Sequence, residues 1–168
     1  MICPDCGHEN IDGSDSCDEC GQDLRSLDIP GSREGIQRTL METPLREVGP
    51  LPPNVLAPTA SVLDALRLMQ QTRHGSVLIV DGGHLVGIFT ERDALDKVAG
   101  EPINPAAIPI RELMTPNPET LKEDDVLAFA LHRMAVGHYR HIPILRDGRP
   151  IGFVSVRGIL SYLARKVS

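Results

Sequence analysis

The sequence predicts an α+β protein in which two β-α-β-β-α repeats pack as a pseudo-twofold pair, preceded by a small head that holds all four cysteines. Residues 44–95 align with residues 109–160 at a shift of 65 without a gap, and thirteen of the 52 pairs are identical. Such self-similarity indicates an internal duplication. We expect a head at 1–24, a linker with a short helix at 25–43, a first repeat at 44–99 and a second at 100–168.

The head contains two Cys-x2-Cys pairs separated by ten residues. Each pair can bring two sulfurs to one ion in a tight turn, and Gly7 and Gly21 follow the pairs, where a positive φ is expected. Four thiolates would fill a tetrahedral site and leave no position open for catalysis. The spacing resembles a short zinc ribbon, although two disulfides or an iron ion remain alternatives. The predicted metal ligands are Cys3, Cys6, Cys17 and Cys20.

Each repeat begins with a short strand, near Val55 and near Thr120, followed by an amphipathic helix. Val62, Leu66 and Met69 share one helical face in the first copy, and an apolar stripe from 126 to 134 repeats it. Hydroxyl or acidic residues stand where helices prefer to start. The candidate first residues are Thr59 or Ser61 in one copy, and Glu123 or Asp124 in the other.

A hairpin and a second helix complete each repeat. Apolar runs at 77–80 and 142–145 are followed by turn residues and then by apolar runs at 85–89 and 150–154. The last helices are expected to start at Glu91 and Val156. One copy of about 50 residues buries little alone, which favours packing of the two sheets against each other.

Composition excludes several classes of function. The longest apolar run is too short to span a bilayer, and the N-terminus lacks a basic start before an apolar stretch, so we expect a soluble, cytoplasmic protein. Residues 1–25 carry seven acids and one base, which disfavours binding of nucleic acid. No catalytic motif is found, so we expect that the protein is not an enzyme.

The order of motifs in the second copy resembles that of the CBS domain. The copy reads Met114-Thr-Pro, then a helix, then His141-Ile-Pro-Ile, and then Asp-Gly-x-x-Ile-Gly-x-Val-Ser. Two tandem copies resemble the paired regulatory unit called a Bateman module. The resemblance implies a non-catalytic sensor that binds AMP, ADP, ATP or S-adenosylmethionine between the copies and signals to a partner protein. It also implies a homodimer through the outer helices, for which the apolar residues of the last helix are candidates: Ile159, Leu160, Tyr162 and Leu163.

The resemblance also implies roles for individual residues. Gly87, Thr90 and Asp93 match the motif that holds ribose, whereas the second copy has Gly158 in place of the carboxylate, which predicts one competent site. Backbone at the start of the opposite copy would hold adenine, and residues just before the second strand of each copy would contact phosphate. The predicted ligand-binding residues are Ser76, Thr90, Asp93, Met114, Thr115, Pro116, Arg140 and His141.

Alternatives remain open at this point. Asp93 could simply cap its helix, since acids are favoured in a first turn, and Arg140 and His141 could be a solvated edge. The whole protein could instead be a nucleic-acid-binding or transcription-linked adaptor, as zinc ribbons often are. It could also be a protein-interaction scaffold with an empty cleft.

Overall fold

A computed structural model describes residues 1–11, 13–24 and 35–167, with the Val167 side chain left out. The protein divides into two compact units. The first unit comprises Met1–Val48, Asp124–Arg140 and Val156–Ser168, and the second comprises Gly49–Glu123 and His141–Ser155. Most of the predicted linker, residues 25–34, lies outside the described residues. The predicted segment boundaries stay a prediction.

The described residues form six α-helices, seven strands and one 3-10 helix. In chain order these are α1 (Ile36–Glu42), α2 (Leu45–Val48), β1 (Val55–Leu56), α3 (Val62–Thr72), β2 (Ser76–Asp81), β3 (His84–Thr90), α4 (Glu91–Lys97), the 3-10 helix (Ile110–Glu112), β4 (Thr115–Pro116), β5 (Leu121–Lys122), α5 (Leu127–Gly137), β6 (His141–Arg146), β7 (Arg149–Ser155) and α6 (Val156–Val167).

Three strands of the first repeat and β4, from the start of the second, form a sheet in the order β1-β2-β3-β4, in which β1 and β2 are parallel and β3 is antiparallel to both of its neighbours. Helix α3 starts after Ser61, whose hydroxyl accepts a hydrogen bond from the Asp64 N–H while the Asp64 carboxylate accepts from the Ser61 N–H, a complete capping box. Buried apolar residues of α3, β2, β3 and the 3-10 helix form one core: Val62, Ala65, Met69, Val77, Ile79, Phe89 and Ile110.

The second repeat contributes a sheet in the order β5-β6-β7 with the same pairing. Leu56 lies opposite Ile79 in the first sheet, and the residues 65 positions later, Leu121 and Ile144, lie opposite each other in the second. Both hairpins shift register after the equivalent residues Ile79 and Ile144. The predicted α+β class with two β-α-β-β-α repeats is therefore confirmed.

Helix α5 starts later than predicted, at Leu127, and its N-cap residue Val126 makes no capping hydrogen bond through its side chain. The predicted acidic starts are wrong because those acids bind arginines instead. Glu123 accepts a hydrogen bond from Arg146 Nε at 2.6 Å, and Asp124 is paired with Arg46.

In the first unit, the cysteine head lies against α5. The Asp5 carboxylate is 3.5 Å from His132 Nε2 and 4.0 Å from a guanidinium nitrogen of Arg133. A Cβ added at Gly7 would lie 3.9 Å from the Phe129 ring. Helix α6 contacts α1, α2 and α5 in the same unit. Among the residues that the structure describes, no helix is long and apolar enough to cross a membrane.

Candidate functional site

The four cysteine sulfurs of the head converge on one point, since all lie within 4.8 Å of one another. Cys3 and Cys20 sulfurs are 3.6 Å apart, and Cys6 and Cys17 sulfurs are 3.5 Å apart. A tetrahedron with metal–sulfur distances of about 2.3 Å has edges of about 3.8 Å, so this cage has the right size for a metal ion. Gly7 and Gly21 have φ of 76° and 74°, as the sequence predicts for the two turns.

The thiols of this cluster influence one another strongly. Burial alone would raise the pKa of the Cys17 thiol, but the N–H groups of Cys20 and Glu19 lower it to about 6. The Gln22 N–H favours the Cys20 thiolate, yet burial and the neighbouring cysteines raise the pKa of Cys20 to about 12. The Cys17 thiolate therefore forms easily, and its negative charge disfavours ionisation of the neighbouring thiols. A central cation would remove this repulsion.

A second cluster surrounds Asp93, which is only 8% exposed although it is charged. The Asp93 Oδ2 atom accepts hydrogen bonds from the Thr90 N–H at 2.9 Å and the Thr90 hydroxyl at 2.7 Å. The Asp93 Oδ1 atom accepts from Lys97 Nζ at 2.6 Å and from the Thr115 hydroxyl at 3.3 Å. Asp93 thus closes a capping box with Thr90 and also joins α4 to β4.

Burial pushes the pKa of Asp93 upward, but the hydrogen bonds from Lys97 and Thr90 outweigh it. The pKa of Asp93 is consequently held below its usual range. The carboxylate therefore stays ionised at neutral pH, the form in which both oxygens only accept hydrogen bonds.

Strand β4 lies beside β3 next to this carboxylate. Pro116 is paired with Gly87, and Thr115 with Ile88. The Met114 side chain covers Gly87 so closely that a Cβ at position 87 would lie 2.3 Å from the Met114 sulfur. The structure thus brings together five of the predicted ligand-binding residues: Thr90, Asp93, Met114, Thr115 and Pro116.

The three predicted phosphate contacts have different environments. Ser76 is fully buried opposite Thr90, and its hydroxyl has no hydrogen-bond partner among the described residues. His141 starts β6, and its ring packs edge-on against Phe153 with centroids 5.7 Å apart. Arg140 is exposed and belongs to the first unit.

Sequence reasoning missed two groups at the Asp93 cluster, the Lys97 ammonium and the Leu113 carbonyl, which are joined by a 2.8 Å hydrogen bond. The spacing of Asp93 and Lys97 by four residues on a helix was a readable signal for an ion pair. The Leu113 carbonyl carries no such signal because its position depends on the 3-10 helix before it. Sequence reasoning also missed His74, whose ring packs against Phe153 with centroids 5.3 Å apart.

The outer face predicted on α6 is smaller than expected. Ile159 and Tyr162 are 0% and 7% exposed within the chain, so they are not available for a partner subunit. Leu160 is 58% exposed and Leu163 is half-buried. Leu95, the equivalent of Leu160 in the first copy, is 69% exposed.

Comparison with known proteins gives a consistent result. A family model of the CBS domain matches residues 41–100 and 110–165. A CBS domain-containing protein of Arabidopsis thaliana is 29% identical over 132 residues, which cover 78% of this chain but 23% of that protein. The matches cover 18–24% of the length of that protein and of similar Arabidopsis proteins, about a fifth to a quarter.

Solved structures share the fold. An uncharacterised conserved protein from Pyrococcus horikoshii is 28% identical with a TM-score of 0.69, and the match covers 76% of this chain and 97% of that one. A CBS domain pair in complex with 5'-methylthioadenosine and S-adenosyl-L-methionine is 25% identical with a TM-score of 0.64, and the match covers 71% of this chain and 98% of that one.

Proposed function

Because the chain belongs to the CBS domain family, we propose that its two repeats form a non-catalytic sensor. The sensor binds an adenine nucleotide or S-adenosylmethionine beside Asp93 and signals ligand occupancy to a partner protein. The CBS domain pair that was solved with two adenosine-containing ligands supports this ligand class.

The observation that carries the proposal is the environment of Asp93. Its carboxylate lies within hydrogen-bond distance of Thr90 at the end of β3 and of Thr115 in β4, which belongs to the opposite repeat. A ligand that holds its ribose at Asp93 would therefore contact both repeats. Such a ligand can change how the repeats pack, by as much as its affinities for the two arrangements differ.

We assign the ribose to Thr90 and Asp93, and the adenine to the backbone of Met114, Thr115 and Pro116. Ser76 supports a phosphate contact because its hydroxyl is buried without a partner among the described residues. A buried hydroxyl without a hydrogen bond is unfavourable, and a ligand oxygen would relieve this. His141 and Arg140 remain predicted phosphate contacts.

For the head, we propose a structural zinc ion held by Cys3, Cys6, Cys17 and Cys20. A segment this short buries too little apolar surface to fold alone, so the metal would supply its folding free energy. The contact between Asp5 and α5 would then place the folded head against the second repeat's first helix.

Calorimetric titration with AMP, ADP, ATP and S-adenosylmethionine tests the proposal. We expect saturable binding of one ligand per chain, and a rise in thermal midpoint for the same ligand. Asp93→Asn should weaken binding at least about tenfold, since hydrogen bonds to a charged group contribute about 1.5–3 kcal/mol. Asp96→Asn is the matched control, because Asp96 is an exposed carboxylate on the same helix.

Three outcomes would contradict the proposal. Absence of binding by all four ligands at millimolar concentration would favour a scaffold with an empty cleft. Equal affinities of the Asp93 and Asp96 variants would place the ligand elsewhere. Retention of the protein on single-stranded RNA or DNA with strong salt dependence would favour the adaptor.

We also propose that the protein is a homodimer through its CBS helices. Leu160 and Leu163 are the predicted positions on α6 that the chain itself leaves at least partly open.

A further inference from the structure

The Lys97 ammonium joins two hydrogen-bond acceptors at the Asp93 cluster. It donates to Asp93 Oδ1 at 2.6 Å and to the Leu113 carbonyl at 2.8 Å. The Lys97 side chain is 38% exposed and the Asp93 side chain 10%, so the pair lies at the edge of the buried region rather than on an open surface.

The Asp93 carboxylate has no acceptor capacity left in this arrangement. A carboxylate offers about four lone-pair positions. Thr90 fills two of them through its N–H and its hydroxyl, and Lys97 and Thr115 fill the other two. A ribose hydroxyl can bind Asp93 only if one of these donors leaves.

Lys97 is the donor whose departure frees an acceptor at two places, Asp93 Oδ1 and the Leu113 carbonyl. The Thr90 N–H and hydroxyl are held by the start of α4, and the Thr115 hydroxyl occupies only Asp93 Oδ1. The Lys97 ammonium sits on a flexible four-carbon stem and can be solvated when released. A vicinal diol presents two O–H donors side by side, and it could replace the ammonium at both the Asp93 carboxylate and the Leu113 carbonyl.

The second repeat gives an independent indication that Asp93 and Lys97 act as a pair. The residues 65 positions later are Gly158 and Tyr162, so the carboxylate and the ammonium are both missing there. The ammonium is thus present in the copy that has the carboxylate and absent from the copy that lacks it, as expected of two groups that act together.

We propose that Lys97 is an internal competitor of the ligand: without ligand its ammonium takes the place of the ribose hydroxyls, and the ligand binds by displacing it. This inference rests on the proposed function of the Asp93 site. Since Lys97 also holds the Leu113 carbonyl, ligand binding would at the same time replace the Lys97 contact of the segment that leads into β4 by a contact with the ligand.

Titration of three proteins with adenosine and with 2',3'-dideoxyadenosine tests the inference. The proteins are the wild type, Lys97→Met and the control Arg92→Met, which removes one positive charge from an exposed position on the same helix. Lys97→Met should bind adenosine about fivefold to tenfold more tightly than the wild type, because the competing charged hydrogen bonds are lost. Arg92→Met should match the wild type. The gain should vanish with dideoxyadenosine, which lacks the 2'- and 3'-hydroxyls that would use the vacated acceptors.

Lys97→Gln provides a second variant, which keeps polarity but removes the charge and should also bind adenosine more tightly. Circular dichroism of each ligand-free variant shows whether it is folded. If the wild type binds adenosine through Asp93 and both Lys97 variants bind equally or more weakly, the inference is overturned while the proposed function stands. If no variant and no wild-type protein binds adenosine or AMP, the proposed function fails and the inference with it.

Discussion

Two equivalent glycines should respond very differently to the same substitution. Gly87 and Gly152 occupy matching positions in β3 and β7, and neither has a positive φ that would itself exclude alanine. A Cβ at Gly152 would lie 2.6 Å from the Leu51 carbonyl oxygen and 3.0 Å from Pro50 Cβ. A Cβ at Gly87 would instead meet the side chain of Met114.

The difference in free energy follows from what must move. Relief of the Gly152 clash requires the backbone at Leu51 to shift, and that backbone exchanges two hydrogen bonds with Phe153, of 3.0 and 3.2 Å. Loss of two such bonds costs about 2 kcal/mol, and overpacking adds about 1 kcal/mol or more. At Gly87, Met114 can change rotamer, so we expect a cost below about 1 kcal/mol.

Urea denaturation followed by circular dichroism measures these costs. Gly152→Ala should lower the free energy of unfolding by about 2–3 kcal/mol after allowing for the smaller entropy of the unfolded alanine chain. Gly100→Ala is the control, because no atom lies within 4 Å of a Cβ at that position, and it should be neutral or slightly stabilising. A cost at Gly87 equal to or greater than that at Gly152 would refute the reasoning.

Two further predictions concern the head and Asp93. Treatment of the purified protein with a chelator under reducing conditions should release one metal ion per chain and unfold the head. Metal analysis measures the release, and loss of amide protection in residues 1–24 measures the unfolding. Cys17→Ser should have the same effect, and full amide protection without metal would contradict the prediction. The pKa of Asp93 is lower in the folded than in the unfolded state, so its stabilisation is present above about pH 4 and is lost as the pH falls through the folded pKa. The stability difference between wild type and Asp93→Asn should therefore be largest at neutral pH and shrink below about pH 4 in urea titrations, whereas a pH-independent difference would show that the charge of Asp93 contributes nothing.

The sequence predicted most of the fold because periodicity and turn chemistry are local. The helix faces that bear Met69 and Met134 and the hairpins of both repeats required only patterns within about ten residues. The start of α5 could not be read in this way. Its first turn is satisfied by a distant segment, since the Leu127 N–H donates to the Thr43 carbonyl, and no local cap is needed.

The candidate site was predictable only in part for the same reason. Asp93 and Thr90 belong to one motif, so their contact was foreseeable from spacing. The resemblance to a family supplied Met114, Thr115 and Pro116. The Leu113 carbonyl and the orientation of Lys97 depend on how the 3-10 helix places a backbone atom near α4, and no residue type encodes that.

The pattern of differences between the two repeats bears on function. Core positions such as Ala65 and Ala130, or Ile79 and Ile144, are identical pairs and buried in both copies, because packing imposes the same volume on each. The copies differ at the proposed ligand site, where Asp93 and Lys97 in one copy correspond to Gly158 and Tyr162 in the other. Packing of the core does not require Asp93 and Lys97 to have their charges, and the proposed ligand role in one copy would account for the asymmetry. The decisive comparison is therefore between Asp93 and Lys97 variants in the presence of an adenosine ligand, where a structural pair would lose stability without any gain in affinity.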